Sequence, residues 1–312
     1  MDLRQVEIFY YVAKHRSFSK AAAALSLTQP TVSGHIKSLE AALSLVLFHR
    51  LGRDVQLTHA GEILYGHAKR LVDTKRAALQ GIEELRDGLR GELILGGSSI
   101  PGQYVLPHIL GQFHPQYPGI TIVLHITDTM ETLERVVRGD LELGVVGAQV
   151  SHTHVSYNPF VEDELVLAVS ANHPWAGLAS VSIDALTTVP FIQRERGSGS
   201  RLVVERALAE AGLPPARLQV MAEMGTTEAI KQGIKADLGV SIMSSLALAD
   251  ERKAGSICTV TIDGLSIRRH FSVIRHTGRA LSPLAQTFET FLHTLAPFSL
   301  TSPDTQSHAS TA

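Results

Sequence analysis

The chain has 312 residues, 44% of them hydrophobic and 19% charged, and a formal net charge of −2. This length suits two or three domains, and the nearly balanced charge excludes a chain that binds nucleic acid through its overall charge. The charges are unevenly distributed, because residues 1–90 carry an excess of four positive charges and the remainder an excess of six negative charges. A contact with nucleic acid is therefore expected in the first 90 residues.

Cys258 is the single cysteine of the chain, which excludes an intrachain disulfide. Its place in the apolar run SICTVTI predicts a buried structural thiol, and a redox sensor is the alternative. No apolar run is long enough to span a membrane. The chain starts with an acidic residue and an amphipathic helix, a pattern unlike a signal peptide. We therefore expect a cytoplasmic protein.

A helix is predicted from Leu3 to His15, and two shorter helices are predicted within Ser17 to Glu40. Ser17 and Thr28 precede these two helices, and their hydroxyls can cap them. Pro30 falls in the first turn of the second helix, where its missing N–H costs nothing. The pattern is that of a helix-turn-helix.

The second of these helices has an apolar face and a polar face. Val32, Ile36 and Leu39 recur at helical spacing and are expected to face a core. The polar face is suited to the major groove of DNA, although a solvated helix face is the alternative. With one serine of the preceding helix, the predicted DNA contacts here are Ser19, Gln29, Pro30, Thr31, Ser33, His35 and Lys37.

Two short strands are predicted after Leu47, with a turn at Gly52 between them. Arg50 and Arg53 stand beside this turn. Two guanidinium groups on a β-wing are suited to contact with phosphates or the minor groove. The first domain, residues 1–59, is thus predicted to be a winged helix-turn-helix.

Residues 60–89 are predicted to form one long helix without proline. Its apolar residues keep alternating spacings of four and three, with Lys75 at one polar position, and these residues are Leu64, Ala68, Leu71, Ala78, Ile82 and Leu85. This heptad spacing predicts a two-stranded coiled coil, and packing against the helix's own chain is the alternative. A homodimer would hold two winged helices at a fixed separation, matching DNA half-sites about one turn apart.

From residue 91 short apolar strands alternate with helices, as in parallel α/β sheets. Strands are predicted at 92–97, 120–126, 141–147, 161–170, 191–195, 219–224, 239–244, 256–262 and 269–276, and helices at 104–117, 131–139, 200–211, 227–234 and 282–295. They are assigned to two α/β lobes with crossing strands near 161–166 and 264–269. The domain spans 91–298, lobe I being 91–163 with 268–298 and lobe II 164–267, and the polar tail 299–312 is predicted to be disordered.

The cleft between such lobes is the expected ligand site, because ligands bind at the C-termini of strands and the N-termini of helices. The candidate residues are rich in hydroxyl, backbone N–H and guanidinium donors, and few are acidic. They are Ser98, Ser99, Gln103, Arg194, Gly197, Ser198, Ser200, Arg201, Thr226 and Thr227. A small anion is the simplest occupant. A flexible turn at GSGS and a plain strand-end cap at Ser98 and Ser99 are the alternatives.

The segments LRQVEIFYYVAKHRSFSKAAAAL, LTQPTVSGHIKSLE and LFHRLGRDVQLTHAGE resemble LysR-type transcriptional regulators, and the resemblance extends over nearly the whole chain. It implies a winged helix-turn-helix, a linker helix and an effector domain like a periplasmic binding protein. It also implies promoter DNA and a small effector as partners, assembly into a homotetramer, and contact with RNA polymerase if the protein is an activator. One departure is Gly34, where many members carry a long basic or polar residue.

GSGSR and SSIPGQYVLP are similar to the branch of the family that regulates sulfur assimilation, carbon fixation or selenium metabolism. That branch senses small anions such as sulfur or selenium oxyanions, or phosphorylated metabolites. No other cofactor is implied.

Two other classes of protein are alternatives. A solute-binding or transport receptor would share the two lobes, but it predicts a signal peptide and no heptad helix. An enzyme would need a general base near the serines and arginines, and none stands out. The sequence has no nucleophile elbow, P-loop or dinucleotide fingerprint, and His152-Thr153-His154 is too short for a metal site.

Overall fold

The computed structural model describes residues 1–51, 54–87 and 89–295. The chain divides into two compact units, residues 1–88 and 89–312. The predicted tail, residues 299–312, lies outside the described residues, as does Arg53 in the turn of the wing.

The first unit is a helical domain with one hairpin. Its elements are α1 (Leu3–His15), α2 (Phe18–Ala24), α3 (Gln29–Leu43), β1 (Phe48–Leu51), β2 (Asp54–Leu57) and α4 (His59–Asp87). The three short helices begin at side-chain caps, since Asp2, Ser17 and Thr28 each accept a hydrogen bond from a backbone N–H of the first turn. Local sequence therefore sets where these helices start.

The apolar face of α3 packs into the core of the first unit. Val32, Ile36 and Leu39 are fully buried, as their spacing predicts. The Glu40 carboxylate at the end of α3 accepts hydrogen bonds from the N–H groups of Leu47 (2.8 Å) and Phe48 (3.4 Å). This contact fixes the start of the wing against α3.

Helix α4 packs on α1 along part of its length. Ala68 and Val72 are buried in the core of the unit, and Lys75, the polar member of the heptad pattern, pairs with Glu7 of α1 at 2.9 Å. In contrast, 44% of Leu71 is exposed. One face of the N-terminal half of α4 therefore packs within its own unit, and Leu71 lies on a different, exposed face.

The second unit is α/β. Its strands are β3 (Gly91–Ser98), β4 (Ile120–Thr127), β5 (Leu143–Val146), β6 (Val155–Ser170), β7 (Ser180–Val181), β8 (Pro190–Arg194), β9 (Gln219–Met224), β10 (Ser241–Ser244), β11 (Ile257–Ile262) and β12 (Ile267–His276). Its helices are α5 (Leu106–Phe113), preceded by a π-helical turn at Pro101–Val105, α6 (Thr129–Arg138), α7 (Gly199–Glu210), α8 (Thr227–Lys235), α9 (Ala249–Lys253) and α10 (Pro283–Thr294).

Two long antiparallel strands, β6 and β12, join the lobes. They pair from Ile267 opposite Leu165 to His276 opposite Val155. The first half of β6 belongs with β3, β4 and β5 in lobe I, and its second half pairs with β10 and β11 in lobe II. Two α/β lobes joined by crossing strands were predicted, and the fold class is confirmed.

Two differences from the predicted elements have local causes. Strand β6 begins at Val155 rather than at 161, because Asn158-Pro159 lies at a register shift in its pairing with β12. Proline lacks an N–H and is tolerated at such a bulge, although from sequence alone it indicates a strand end. The short β7 and α9 were not predicted, since neither has a periodic stretch long enough to be detected.

Candidate functional site

The exposed side of α3 carries the predicted DNA contacts. Gln29, Pro30, Thr31 and Lys37 are exposed, Ser33 and His35 are half-buried, and Ser19 is exposed on α2. Two hydrogen bonds order this face, one between the Thr28 and Thr31 hydroxyls at 2.8 Å and one from the Gln29 amide to Ser33 at 3.1 Å. Polar donors and acceptors thus line one side of a helix whose other side is buried.

Gly34 lies within this polar face. Nothing lies within 4 Å of the position that a Cβ would occupy there. The structure therefore leaves open space at this departure from the family pattern. Arg50 lies in β1, but its side chain is outside the described part of the wing.

The cleft of the second unit lies between its lobes. From lobe I it is lined by Ser98, Ser99, Ile100, Pro101, Asp128 and Thr129, and from lobe II by Arg194, Ser198, Gly199 and Ser200, with Arg269 of β12. Its free volume is about 10 Å³, about enough for one water molecule. The lobes are therefore closed on each other.

Five of the predicted effector residues line this cleft: Ser98, Ser99, Arg194, Ser198 and Ser200. Thr227 contacts it through Arg194, and Gly197 stands beside Asp128, whose Oδ2 would be 3.1 Å from an added Cβ. Thr226 caps α8 by accepting a hydrogen bond from the N–H of Ala229, and Gln103 is exposed on the π-helical turn. Ligand contact by these residues stays a prediction.

The Arg201 guanidinium binds two side chains that do not line the cleft. It forms ion pairs with Glu205 and Glu223, both at 2.7 Å, and donates to the carbonyl of Arg194 at 3.0 Å. Burial lowers the pKa of Arg201, but the hydrogen bonds that it donates to the two glutamates outweigh this effect and raise the pKa. Arg201 therefore fixes the end of β8 and leaves the cleft to Arg194.

The N-terminus of α7 closes one side of the cleft. Ser198 occupies the N-cap position, but its hydroxyl makes no capping hydrogen bond. A Cβ at Gly199 would lie 2.4 Å from Thr129 Oγ1, and the Met130 N–H of lobe I donates to the Gly197 carbonyl at 3.3 Å. Only glycine at 199 allows the helix end, with its partial positive charge, to approach lobe I so closely.

Arg269 is the most buried cation in the cleft. Its Nε donates to Asp163 at 2.7 Å, and its Nη1 donates to the Gly147 carbonyl and to Ser200 Oγ, both at 3.2 Å. Its Nη2 has no hydrogen-bond partner among the described residues, and neither does the buried Thr129 Oγ1. Burial lowers the pKa of Arg269, opposed by Asp163 and reinforced by the charge of Arg194.

An unpaired buried donor costs free energy, so Arg269 Nη2 and Thr129 Oγ1 mark a position where a ligand acceptor would be stabilised. Sequence reasoning missed both residues, along with Asp163. A signal was present, since Arg269 and Phe271 alternate with exposed residues in β12. A charged side chain on the buried face of a strand needs a partner.

The cleft is more acidic than the sequence predicted. Asp128 lines it, Asp163 pairs with Arg269, and Glu195 pairs with Arg194 at 2.6 Å. Asp163 reaches Arg269 through the pairing of β6 with β12, whereas Glu195 directly follows Arg194 in the chain. The two guanidinium charges are thus partly neutralised within the protein.

Among the described residues, no group of three His, Cys, Asp or Glu is arranged to hold a metal ion. In the part of the chain that the structure covers, no helix is both long and apolar enough to cross a membrane.

Comparison with known proteins shows which family contains this chain. Residues 3–62 match the family described as "Bacterial regulatory helix-turn-helix protein, lysR family", and residues 86–297 match "LysR substrate binding domain". The chain is 35% identical over 290 residues to the HTH-type transcriptional activator CmpR of Synechocystis, covering 93% of this chain and 94% of that protein. It is 32% identical over 311 residues to a probable RuBisCO transcriptional regulator of Cyanophora paradoxa, covering 99% and 95%.

Among solved structures, the CcmR regulatory domain of Synechocystis PCC6803, in complex with 2-PG, aligns with a TM-score of 0.62 and 31% identity, over 67% of this chain and 99% of that one. Of the three branches that the sequence left open, the names of these relatives favour carbon fixation. Membership of a DNA-binding regulator family does not favour the transport-receptor alternative. The chain belongs to the LysR family of transcriptional regulators, with an N-terminal DNA-binding domain and a two-lobe effector-binding domain.

Proposed function

We propose that the effector of this regulator is a small organic anion with a phosphate or carboxylate group bound in the interlobe cleft. The observation that carries the proposal is the pair of unsatisfied buried donors, Arg269 Nη2 and Thr129 Oγ1, in a cleft also lined by the uncapped N-terminus of α7. Backbone N–H groups at a helix end and a guanidinium group are the donors that phosphates and carboxylates require. The 2-PG complex of the CcmR domain, 31% identical to this chain, supports this class of ligand.

The DNA partner is proposed to be a promoter contacted by α3 and the wing. The exposed polar face of α3 supports this assignment, with Ser19 on α2 and the two wing arginines, Arg50 and Arg53, as additional contacts. The excess of four positive charges over residues 1–90 is modest. Several copies acting together would supply the affinity that one copy lacks.

Assembly is proposed to occur through α4 and the effector domains. The exposed Leu71 supports a dimer contact, while the predicted Ile82 and Leu85 have side chains outside the described ones. A dimer of dimers would act on promoter DNA in the cytoplasm, and it would contact RNA polymerase if it activates transcription.

The ligand proposal is tested by thermal unfolding of the purified protein with and without 2-phosphoglycolate. A ligand that binds the folded state raises Tm by mass action. We expect a rise in Tm for the wild type and a much smaller rise for the double variant that carries both Thr129→Val and Ser200→Ala. Gly225→Ala is the control, because an added Cβ there meets nothing within 4 Å. An equal rise in all three proteins would locate the ligand outside the cleft.

A further inference from the structure

The two cleft arginines differ in how far their donors are satisfied. Arg194 is paired side-on with Glu195, through Nε to Oε2 at 2.7 Å and through Nη2 to Oε1 at 2.6 Å. Its Nη2 also donates to Ser99 Oγ at 3.0 Å, and its Nη1 donates to Thr227 Oγ1 at 3.2 Å. Arg194 is therefore held by a bidentate carboxylate and by hydroxyls of both lobes, whereas Arg269 Nη2 has no partner within the described ranges.

The two carboxylates also differ in how easily they can leave. Asp163 is fully buried, and its second oxygen accepts a hydrogen bond from Ser244 at 2.6 Å. Glu195 has 23% of its side chain exposed. Rotation of Glu195 into water rehydrates its charge, while removal of Asp163 from Arg269 would leave a charge buried without a partner. Exchange of a protein carboxylate for a ligand anion is therefore feasible only at Glu195.

We propose that Glu195 is an internal competitor of the effector. Glu195 pairs with the Arg194 guanidinium in this structure. The effector's second anionic group displaces Glu195, while its first anionic group binds at Arg269 and α7. The inference rests on the proposed function, because it needs an anion in this cleft.

A consequence for specificity follows. A bidentate carboxylate on arginine is a strong, charge-assisted contact, so a ligand with one anionic group has no means of replacing it at Arg194. Glu195 would thus select effectors with two anionic groups at a spacing that the cleft accepts. Specificity here comes from a repulsive element as well as from attractive contacts.

The test measures 2-phosphoglycolate affinity of the full-length protein by isothermal titration calorimetry, which separates affinity from folding stability. Glu195→Gln keeps the shape of the side chain and removes its charge, and Glu195→Ala removes the competing group altogether. Both are expected to bind about 10-fold more tightly than the wild type, the size of one charge-assisted hydrogen bond. Glu210→Gln, an exposed position at the other end of α7, removes the same charge and should bind like the wild type.

The outcomes separate this inference from the proposed function. Binding by the wild type that Ser200→Ala weakens would support a ligand in the cleft. If both Glu195 variants then bind equally or more weakly than the wild type, Glu195 orients Arg194 for the ligand, and the proposal that it competes with the effector is refuted. If none of the proteins binds, the proposed function fails and the inference falls with it. Binding by the Glu195 variants alone would support the competitor in its strongest form.

Discussion

At the scale of single residues, the arginine–aspartate pair at the crossing of the lobes governs the cleft. Arg269 and Asp163 lie directly opposite each other in the β6–β12 pair, and both are buried. The Arg269 guanidinium also lies 5.1 Å from the Phe271 ring centroid. Gly147 leaves room for it, since an added Cβ would lie 2.8 Å from Nη1. One cation therefore serves both the strand crossing and the proposed ligand site.

Arg269→Met should lower the free energy of unfolding by about 3–5 kcal/mol, because Asp163 would be left as a buried charge without its partner. In the double variant Asp163→Asn with Arg269→Met, most of that loss should disappear. Chemical denaturation of the two single variants and the double variant gives the coupling. Losses that simply add would show that the two residues do not act as a pair.

At the scale of elements, α3 and α4 each have one face that is buried in the first unit and another that is exposed. In α3 the apolar face is buried and the polar face is exposed, so that residues on the polar face are free to change without unfolding the domain. In α4 the neighbours Leu71 and Val72 point into different environments, with 44% and 4% of their surfaces exposed. The roles of these positions can therefore be separated by single substitutions.

Lys37→Ala should weaken operator binding without lowering stability, because the side chain is exposed. If Lys37 contacts a phosphate, the loss should be similar for all DNA sequences, and the slope of log affinity against log salt should fall by about 1. Fluorescence anisotropy over a range of salt concentrations measures both. Lys253→Ala is the control, because it removes an exposed lysine of the second unit and makes the same change in net charge. An unaltered salt slope for Lys37→Ala would remove this residue from the DNA contacts.

Leu71→Glu should dissociate the protein into smaller assemblies while leaving its unfolding free energy nearly unchanged. Val72→Ala should do the reverse, keeping the assembly but costing about 2 kcal/mol of stability through lost burial. Light scattering and denaturation distinguish the two effects. If Leu71→Glu keeps the wild-type mass in solution, α4 is not the contact between copies.

At the scale of the effector domain, the arrangement of the lobes depends on how closely α7 approaches lobe I. The lobes share β6 and β12, and across the cleft they meet at Gly199 beside Thr129 and at Arg194 beside Ser99. Because the closed cleft holds about one water molecule, a larger ligand would separate the lobes while contacting these same groups. Its effect on DNA binding is allosteric only if this separation changes how copies assemble.

Gly199→Ala should oppose closure, since its Cβ would lie 2.4 Å from Thr129 Oγ1. Overpacking of this kind costs about 1–3 kcal/mol. Removing the obstructing hydroxyl with Thr129→Ala in the same chain should restore part of the stability, measured by denaturation. Full stability of the single variant would mean that the lobes tolerate a wider separation.

Features set by neighbours along the chain were predictable. Caps at Ser17 and Thr28, the buried stripe of α3 and the alternation of strands and helices after residue 91 all follow from local periodicity. The crossing strands and the approach of Ser98, Ser99, Arg194, Ser198 and Ser200 followed from the βαβ pattern together with family resemblance. The extent of β6 was missed because Pro159 indicates a strand end until its partner strand and bulge are known.

By itself the sequence determined the two-domain plan, the family and five residues of the cleft, because helical and strand periods and helix caps depend on residues a few positions apart. Only the tertiary structure decided which polar atoms of the cleft remain unsatisfied. Asp163 and Arg269 are separated by 106 positions, and Thr129 of lobe I lies beside Gly199 of lobe II only through the packing of the two lobes. Burial and hydrogen bonding are properties of the packed chain, so the free donor on Arg269 and the occupied one on Arg194 became visible only there.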